Sequence, residues 1–184
     1  LENNLKKIVI TGPESTGKST VAQALATHFD TVFVPEYARE YLNSLGREYN
    51  YDDLLLIAKG QVALEDKLSK QAKNNLLFCD TDLLVIMVWC EHKFGKCHPW
   101  ILEQLAIREY DFYFLTNIDF PWVVDILREH PEPEMRIYFF KLYHAILEQM
   151  GLFFVLLSEG ENMRLERAVK VVEERCEWNM NKIE

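Results

Sequence analysis

Thirteen residues near the start of the chain, "IVITGPESTGKST" (8–20), constrain its fold more than any other stretch. The run Lys6–Thr11 is apolar and β-branched, which suits a strand covered on both faces. Gly12 and Gly17 bracket a polar loop, and from 17 to about 29 an apolar stripe of Val21, Leu25 and Phe29 repeats at helical spacing. A strand feeding a curled loop and then a helix aims several backbone N–H groups and a helix N-terminus at one point, which makes an anion site.

Gly12-Pro13-Glu14-Ser15-Thr16-Gly17-Lys18-Ser19 fits GxxxxGK[ST], the phosphate-binding P-loop. Gly12, Glu14, Ser15, Thr16, Gly17, Lys18, Ser19 and Thr20 are therefore expected to surround ATP. The glycines let the backbone curl so that its amides face phosphate oxygens. Lys18 reaches the β- and γ-phosphates, and the Ser19 hydroxyl ligates Mg²⁺. Pro13 has no N–H and must sit where the loop does not donate.

Strand and helix patterns alternate along the rest of the chain. Strands are expected at 31–34, Leu76–Asp80, 111–116 and 152–157. Helices are expected at 36–45, 52–73 (capped by Asp52 or Asp53), Leu83–Phe94, a short segment after "HPW" to about Arg108, 135–150, and from Glu161 towards Trp178. Leu83–Phe94 reads as helix despite Val85, Ile86 and Val88, since two strands so close would leave no crossover. Alternation of this kind predicts parallel βαβ units in a three-layer α/β fold, with a five-stranded parallel sheet flanked by helices. At 184 residues the chain suits one P-loop domain, 1–184, with the Pro- and charge-rich stretch at about 120–136 as a lid.

Charge and hydropathy narrow the function classes. A net charge of −9 argues against a nucleic-acid surface. Apolar runs are too short to span a bilayer, and no leader-like segment precedes the first strand, so a cytoplasmic location is expected. Cys79, Cys90, Cys97 and Cys176 read as free thiols. Cys90, His92, Cys97 and His98 are zinc-compatible, but their spacing fits no zinc-finger or ribbon pattern. Guanine specificity is set aside because "TNID" (116–119) has Ile118 where a guanine-reading NKxD needs Lys. An AAA-type motor is set aside because the length leaves no room for an extra helical lid domain.

A small-molecule kinase needs a Mg²⁺ carboxylate, a base near the acceptor hydroxyl and arginines over the phosphates. Asp80 ends an apolar strand, where it suits a metal; capping the next helix is the competing use of Asp80 or Asp82. Glu36, just past the second strand, or Asp80 would take the proton of the attacking hydroxyl. Arg39 lies one turn later, placed for Glu36 or substrate. Arg128 and Arg136, in "REHPEPEMR", would neutralise the transferring phosphoryl group.

"GPESTGKS", "PEYAREY", "CDTD", "GKCHPW", "YDFYFLT" and the run from "WVVDILR" to Arg136 together resemble the ribosylnicotinamide kinase domain of bacterial NadR-type proteins, over nearly the whole chain. The resemblance implies ATP-dependent phosphorylation of the 5′-hydroxyl of nicotinamide riboside to nicotinamide mononucleotide. It also implies that Glu36, Tyr37 and Arg39 shape the riboside side, that Asp80 and Asp82 sit between riboside and triphosphate, and that His98 lines the pocket. Trp122 or Trp100 would pack on the nicotinamide ring. NadR-type proteins also carry a helix-turn-helix and an HxGH-type adenylyltransferase domain; neither fits upstream of Lys6 and no HxGH occurs, so neither adenylyl transfer nor DNA binding is expected of this chain. The alternatives are a nucleotide-sensing P-loop ATPase and a kinase of another nucleoside.

Overall fold

The computed structural model describes residues 5–123, 128–158 and 160–176. In chain order they form β1 (Lys6–Thr11), α1 (Lys18–His28), β2 (Phe33–Val34), α2 (Tyr37–Leu45), α3 (Tyr51–Ser69), β3 (Leu76–Asp80) and α4 (Leu83–Phe94). There follow α5 (Pro99–Ile107), β4 (Phe112–Thr116), α6 (Pro133–Gln149), β5 (Phe154–Leu157) and α7 (Glu161–Arg175). The five strands make one parallel sheet in the order β2-β3-β1-β4-β5.

Strands β3 and β4 are buried at every residue, as central parallel strands require when helices cover both faces. One core face packs Ile8, Ile10, Phe78 and Phe114 against α1 and α7 through Leu25, Phe29, Ala168 and Val172. The opposite face packs Val9, Leu77, Tyr113 and Leu115 against α4 and α6 through Leu84, Val88, Phe139 and Leu147. A third cluster, Ala38, Leu54, Ile57, Ile86 and Ile101, joins α2 through α5 outside the sheet.

Register decides where the chemistry falls. Ile10 pairs with Asp80 and Val34 with Cys79, so β3 lies between β2 and β1 and delivers Asp80 beside the start of the P-loop. Glu36 emerges at the same carboxyl edge, the edge where open α/β sheets bind ligands.

Several boundaries differ from the sequence pattern. The cap of α3 is Asn50, not Asp52 or Asp53: its side chain accepts from the Asp52 and Asp53 amides, and the Asp53 carboxylate returns a bond to the Asn50 N–H. Asp53 also receives Arg47 and the Tyr41 hydroxyl, which makes it the centre of a buried polar node. α3 ends at Ser69 rather than near 73, and the chain then turns through Asn74 and Asn75 at φ 56°, a left-handed conformation Asn tolerates. β2 keeps two of its four expected residues. Thr31 instead caps the sheet edge, donating to the Leu76 carbonyl and accepting the Lys73 amide. α6 starts two residues early because Pro133 occupies its first turn without needing a donor. α4 is helical as expected and ends at Gly95, φ 67°. The expected run of the last helix to Trp178, the first four residues and lid positions 124–127 lie outside the described residues.

Candidate active site

Between β1 and α1 the loop has the strained shape its glycines allow. Gly12 sits at φ 136° and Gly17 at φ 80°, while Ser15 takes φ 56°. A side chain at Gly12 would place Cβ 2.6 Å from Thr116 Oγ1 and 2.9 Å from the Thr116 carbonyl oxygen. Gly12→Ala is thus expected to lower stability by about 1–3 kcal/mol through overpacking and a disallowed φ. It should also impair nucleotide binding, and thermal melting with and without nucleotide measures both effects.

The loop is braced from below. Thr16 Oγ1 lies 2.8 Å from the Pro13 carbonyl and 2.7 Å from Thr116 Oγ1, which in turn reaches the Thr11 carbonyl. Thr16 therefore contributes to the anion site through its backbone, its hydroxyl being occupied in holding the loop. Pro13 sits on the accepting side, as its missing N–H requires: its carbonyl also takes the Lys18 ammonium at 2.7 Å. Lys18 is parked on the loop and needs only to swing off this carbonyl to reach a phosphate.

A cleft opens in front of the loop. Its phosphate end encloses about 790 Å³, partly open to solvent, and is lined by the loop residues from Glu14 to Thr20 together with Glu36, Arg39 and Arg128. Beside it is an aromatic chamber of about 580 Å³, lined by Tyr49, Trp89, Trp122, Phe139 and Tyr143 among others. Trp89, Tyr143 and Glu14 line both, so the two chambers adjoin. Tyr49 and Trp89 stack with ring centroids 6.4 Å apart at 27°.

Three carboxylates surround Lys18. Burial pushes Glu36 above the usual carboxylate range; Lys18 pulls it back, and Asp80 pushes it up again. Burial also raises Asp80, opposed by Lys18, the Ser19 hydrogen bond and Arg39. Asp80 is 2% exposed, and its Oδ1 has no hydrogen-bond partner among the described residues. A buried, bare carboxylate oxygen beside a serine hydroxyl has the donor chemistry of a hard divalent cation site. Thr81, which follows it, is held at φ 69°, a costly conformation for a β-branched residue, with its amide donating to the Ile10 carbonyl.

The lid residues reach the loop. Arg128 donates to Ser15 Oγ at 3.2 Å and to the Val123 carbonyl. Arg136 donates to the Phe120 carbonyl at 2.9 Å, and its Nε is buried without a partner. Both guanidinium groups lie about 6 Å from the Trp122 ring. The Glu14 carboxylate accepts the Glu129 and His130 amides, binding the lid's far end to the P-loop; burial raises its pKa.

Not every expected residue joins the cleft. Asp82 is a helix cap: one oxygen accepts the Leu84 amide and the other the Tyr113 hydroxyl, and burial pushes it up to about 7. Tyr37 packs its ring on α3, where a Cβ at Gly60 would lie 2.0 Å from it, and gives its amide to Gln61. His98 begins α5 and stacks on Tyr51 at 5.1 Å, away from both chambers. Trp100 sits under the Lys59 ammonium, away from the cleft. Asp82, Tyr37 and His98, expected at the substrate, line neither chamber: partners on neighbouring helices and on β4, invisible to spacing, engage their side chains. His92 packs against His130 and Phe139, while Cys90 and Cys97 lie within reach of one another, so the zinc-compatible residues point to separate places. Among the described residues no three His, Cys, Asp or Glu side chains gather as a metal cluster.

Several residues of the cleft and of the P-loop's surroundings escaped the sequence reading, among them Tyr49, Trp89, Tyr143 and Arg164. Trp89 and Tyr143 were hidden because apolar helices such as α4 do not show which face meets a cavity. Arg164 of α7 left a readable signal: it stands where the buried stripe of Ala168 and Val172 calls for an apolar residue.

The parallel sheet, the glycine loop at its carboxyl edge, and the Lys18–Ser19–Asp80 grouping define a P-loop nucleotide-binding protein. The AAA domain family model matches residues 7–164, and the chain belongs to that family. The chain is 33% identical over 175 residues to the trifunctional NAD biosynthesis/regulator protein NadR of Escherichia coli K12, and 32% identical to that of Salmonella typhimurium LT2. These alignments cover 92% of this chain and 42% of each relative, so the chain spans under half of their length. Among solved structures it is similar to a NadR protein in complex with NR (TM-score 0.78, 23% identity, 98% of this chain, 53% of that one). It is similar to a NadR protein with NAD and AMP-PNP (0.80, 23%, 98% and 53%). It also matches a thymidylate kinase from Ehrlichia chaffeensis (0.64, 17%, 91% and 98%). Among the described residues no helix is long and apolar enough to cross a membrane.

Proposed function

We propose that this chain is an ATP-dependent kinase that phosphorylates the 5′-hydroxyl of nicotinamide riboside, yielding nicotinamide mononucleotide and ADP. One observation carries the reading: a raised carboxylate, Glu36, lines the same cleft as Lys18, and that cleft adjoins a chamber walled by aromatic rings. The kinship with NadR, and the likeness in fold to a NadR structure holding NR and another holding AMP-PNP, support the choice of acceptor and phosphoryl donor.

In this reading the P-loop amides hold the triphosphate, and Lys18 leaves the Pro13 carbonyl for the β- and γ-phosphates. Ser19 and Asp80 would hold Mg²⁺, which neutralises charge on the phosphate oxygens when bound. Glu36 accepts the 5′-hydroxyl proton as the acceptor oxygen bonds to the γ-phosphorus and the bond to the β-bridging oxygen breaks, releasing ADP. A carboxylate raised by burial suits this task, because its proton affinity approaches that of the group it relieves. Arg128 and Arg136 stand at the loop's edge to take up charge on the phosphoryl group in flight. Tyr49, Trp89 and Trp122 present ring faces to a planar base.

The test is a riboside panel with Mg-ATP and the purified chain. Nicotinamide riboside should stimulate ADP release and give nicotinamide mononucleotide. Trp89→Ala should raise KM for the riboside by about tenfold while KM for ATP stays within twofold, the size of one lost stacking contact. ADP release that no riboside stimulates would instead favour a nucleotide-sensing ATPase.

A further inference from the structure

We infer that Arg164, locked to Asp119, is a positioning residue for nucleotide binding: it holds the carbonyl side of the P-loop so that the loop's amides face the phosphates. Arg164 is 1% exposed and is the one buried arginine among the described residues. A buried guanidinium is tolerated only where its charge and donors are met. Here Nη1 donates to the Thr16 carbonyl at 2.6 Å, and Nη2 to the Asn117 carbonyl at 3.4 Å and to the Asp119 carboxylate, which meets the charge and the two terminal nitrogens, while Nε is buried with no partner among the described residues. The cation also lies 4.4 Å from the Phe120 ring.

The contact with Thr16 acts through peptide geometry. A trans peptide is planar, so turning the Thr16 carbonyl towards Arg164 turns the Gly17 N–H the opposite way. Gly17 is the cap of α1, at φ 80°, and lines the phosphate end of the cleft. Nη1 approaches to 3.8 Å of the position a Gly17 Cβ would take, so the guanidinium lies directly behind this turn. One side chain from the last described helix therefore joins the loop after β4 to the phosphate nest. The "TNID" run acquires a use by the same route: its Asp119, unsuited to reading guanine without a Lys beside it, anchors the arginine instead.

This inference rests on the nucleotide half of the proposed function and is independent of the acceptor. Calorimetric titration of the full chain with Mg-AMP-PNP, without acceptor, tests it alongside melting of the nucleotide-free protein. Arg164→Met should weaken binding by about tenfold or more, the loss of a charge-assisted bond to the loop, with partial recovery in Arg164→Lys. Asp119→Asn, at a side chain 29% exposed, should weaken binding in the same direction with little change in melting. If Arg164→Met does not fold, Asp119→Asn decides. A folded variant of either kind that binds AMP-PNP as the parent does, even with a lowered melting temperature, would overturn the assignment by reducing Arg164 to a stabilising residue. An inactive riboside panel would leave this readout untouched.

Discussion

Lys18→Met should reduce phosphotransfer by about a thousandfold, the upper range for deleting one preorganised electrostatic donor. The loss has two parts. The ammonium stands 2.7 Å from the Pro13 carbonyl, one rotation from the phosphates, and nothing else on α1 replaces it there. Lys18 is also the largest influence restraining the burial-raised pKa values of Glu36 and Asp80, and it restrains Glu14 too. Without it all three carboxylates move further up. A base must be deprotonated to act, so a higher Glu36 pKa means that residual activity requires a higher pH. The acid limb of kcat/KM should accordingly shift to higher pH in Lys18→Met, which a pH–rate profile of the residual activity would reveal. An acid limb that stayed in place or moved downward would remove Glu36 as the base.

Asp80→Asn should cost about a hundredfold to a thousandfold in kcat and raise the Mg²⁺ concentration needed for half-maximal rate. Stability should move the other way. In the nucleotide-free protein the carboxylate is desolvated, bare at Oδ1 and close to Glu36. A neutral amide of the same shape removes that electrostatic cost, so melting should hold steady or rise while activity collapses. Melting curves without nucleotide and Mg²⁺-titrated kinetics separate the two effects. A sharply lowered melting temperature would mean that Asp80 serves the fold rather than the metal.

The lid gains a physical meaning from the same contacts. Glu14, Ser15 and the Arg128 and Arg136 side chains already join the P-loop to the segment from Phe120 to Arg136 on either side of 124–127. Phosphate binding that rearranges Ser15 would therefore be felt directly at Arg128, without a relay through the core.

Local pattern made the strand–loop–helix unit legible, because the glycines, the lysine and the two apolar periodicities lie within about twenty residues of one another. It also made Glu36 and Asp80 legible as residues at strand ends, since their place depends only on where an apolar run stops. Asp82 and Tyr37 had the same local signature and a different fate. Asp82 is taken by the Tyr113 hydroxyl from β4, and Tyr37 by a glycine notch in α3, partners 31 and 23 positions away.

What the amino-acid order determined by itself was the anion-binding loop and the alternating parallel architecture, both products of short-range backbone geometry. Only the tertiary structure decided that β3 inserts between β1 and β2, that Asp80 thereby meets Ser19 and Lys18, and that Arg164 of α7 reaches the underside of the loop. The physical reason is that strand order and helix docking are set by burying several apolar faces at once. No single segment carries that sum.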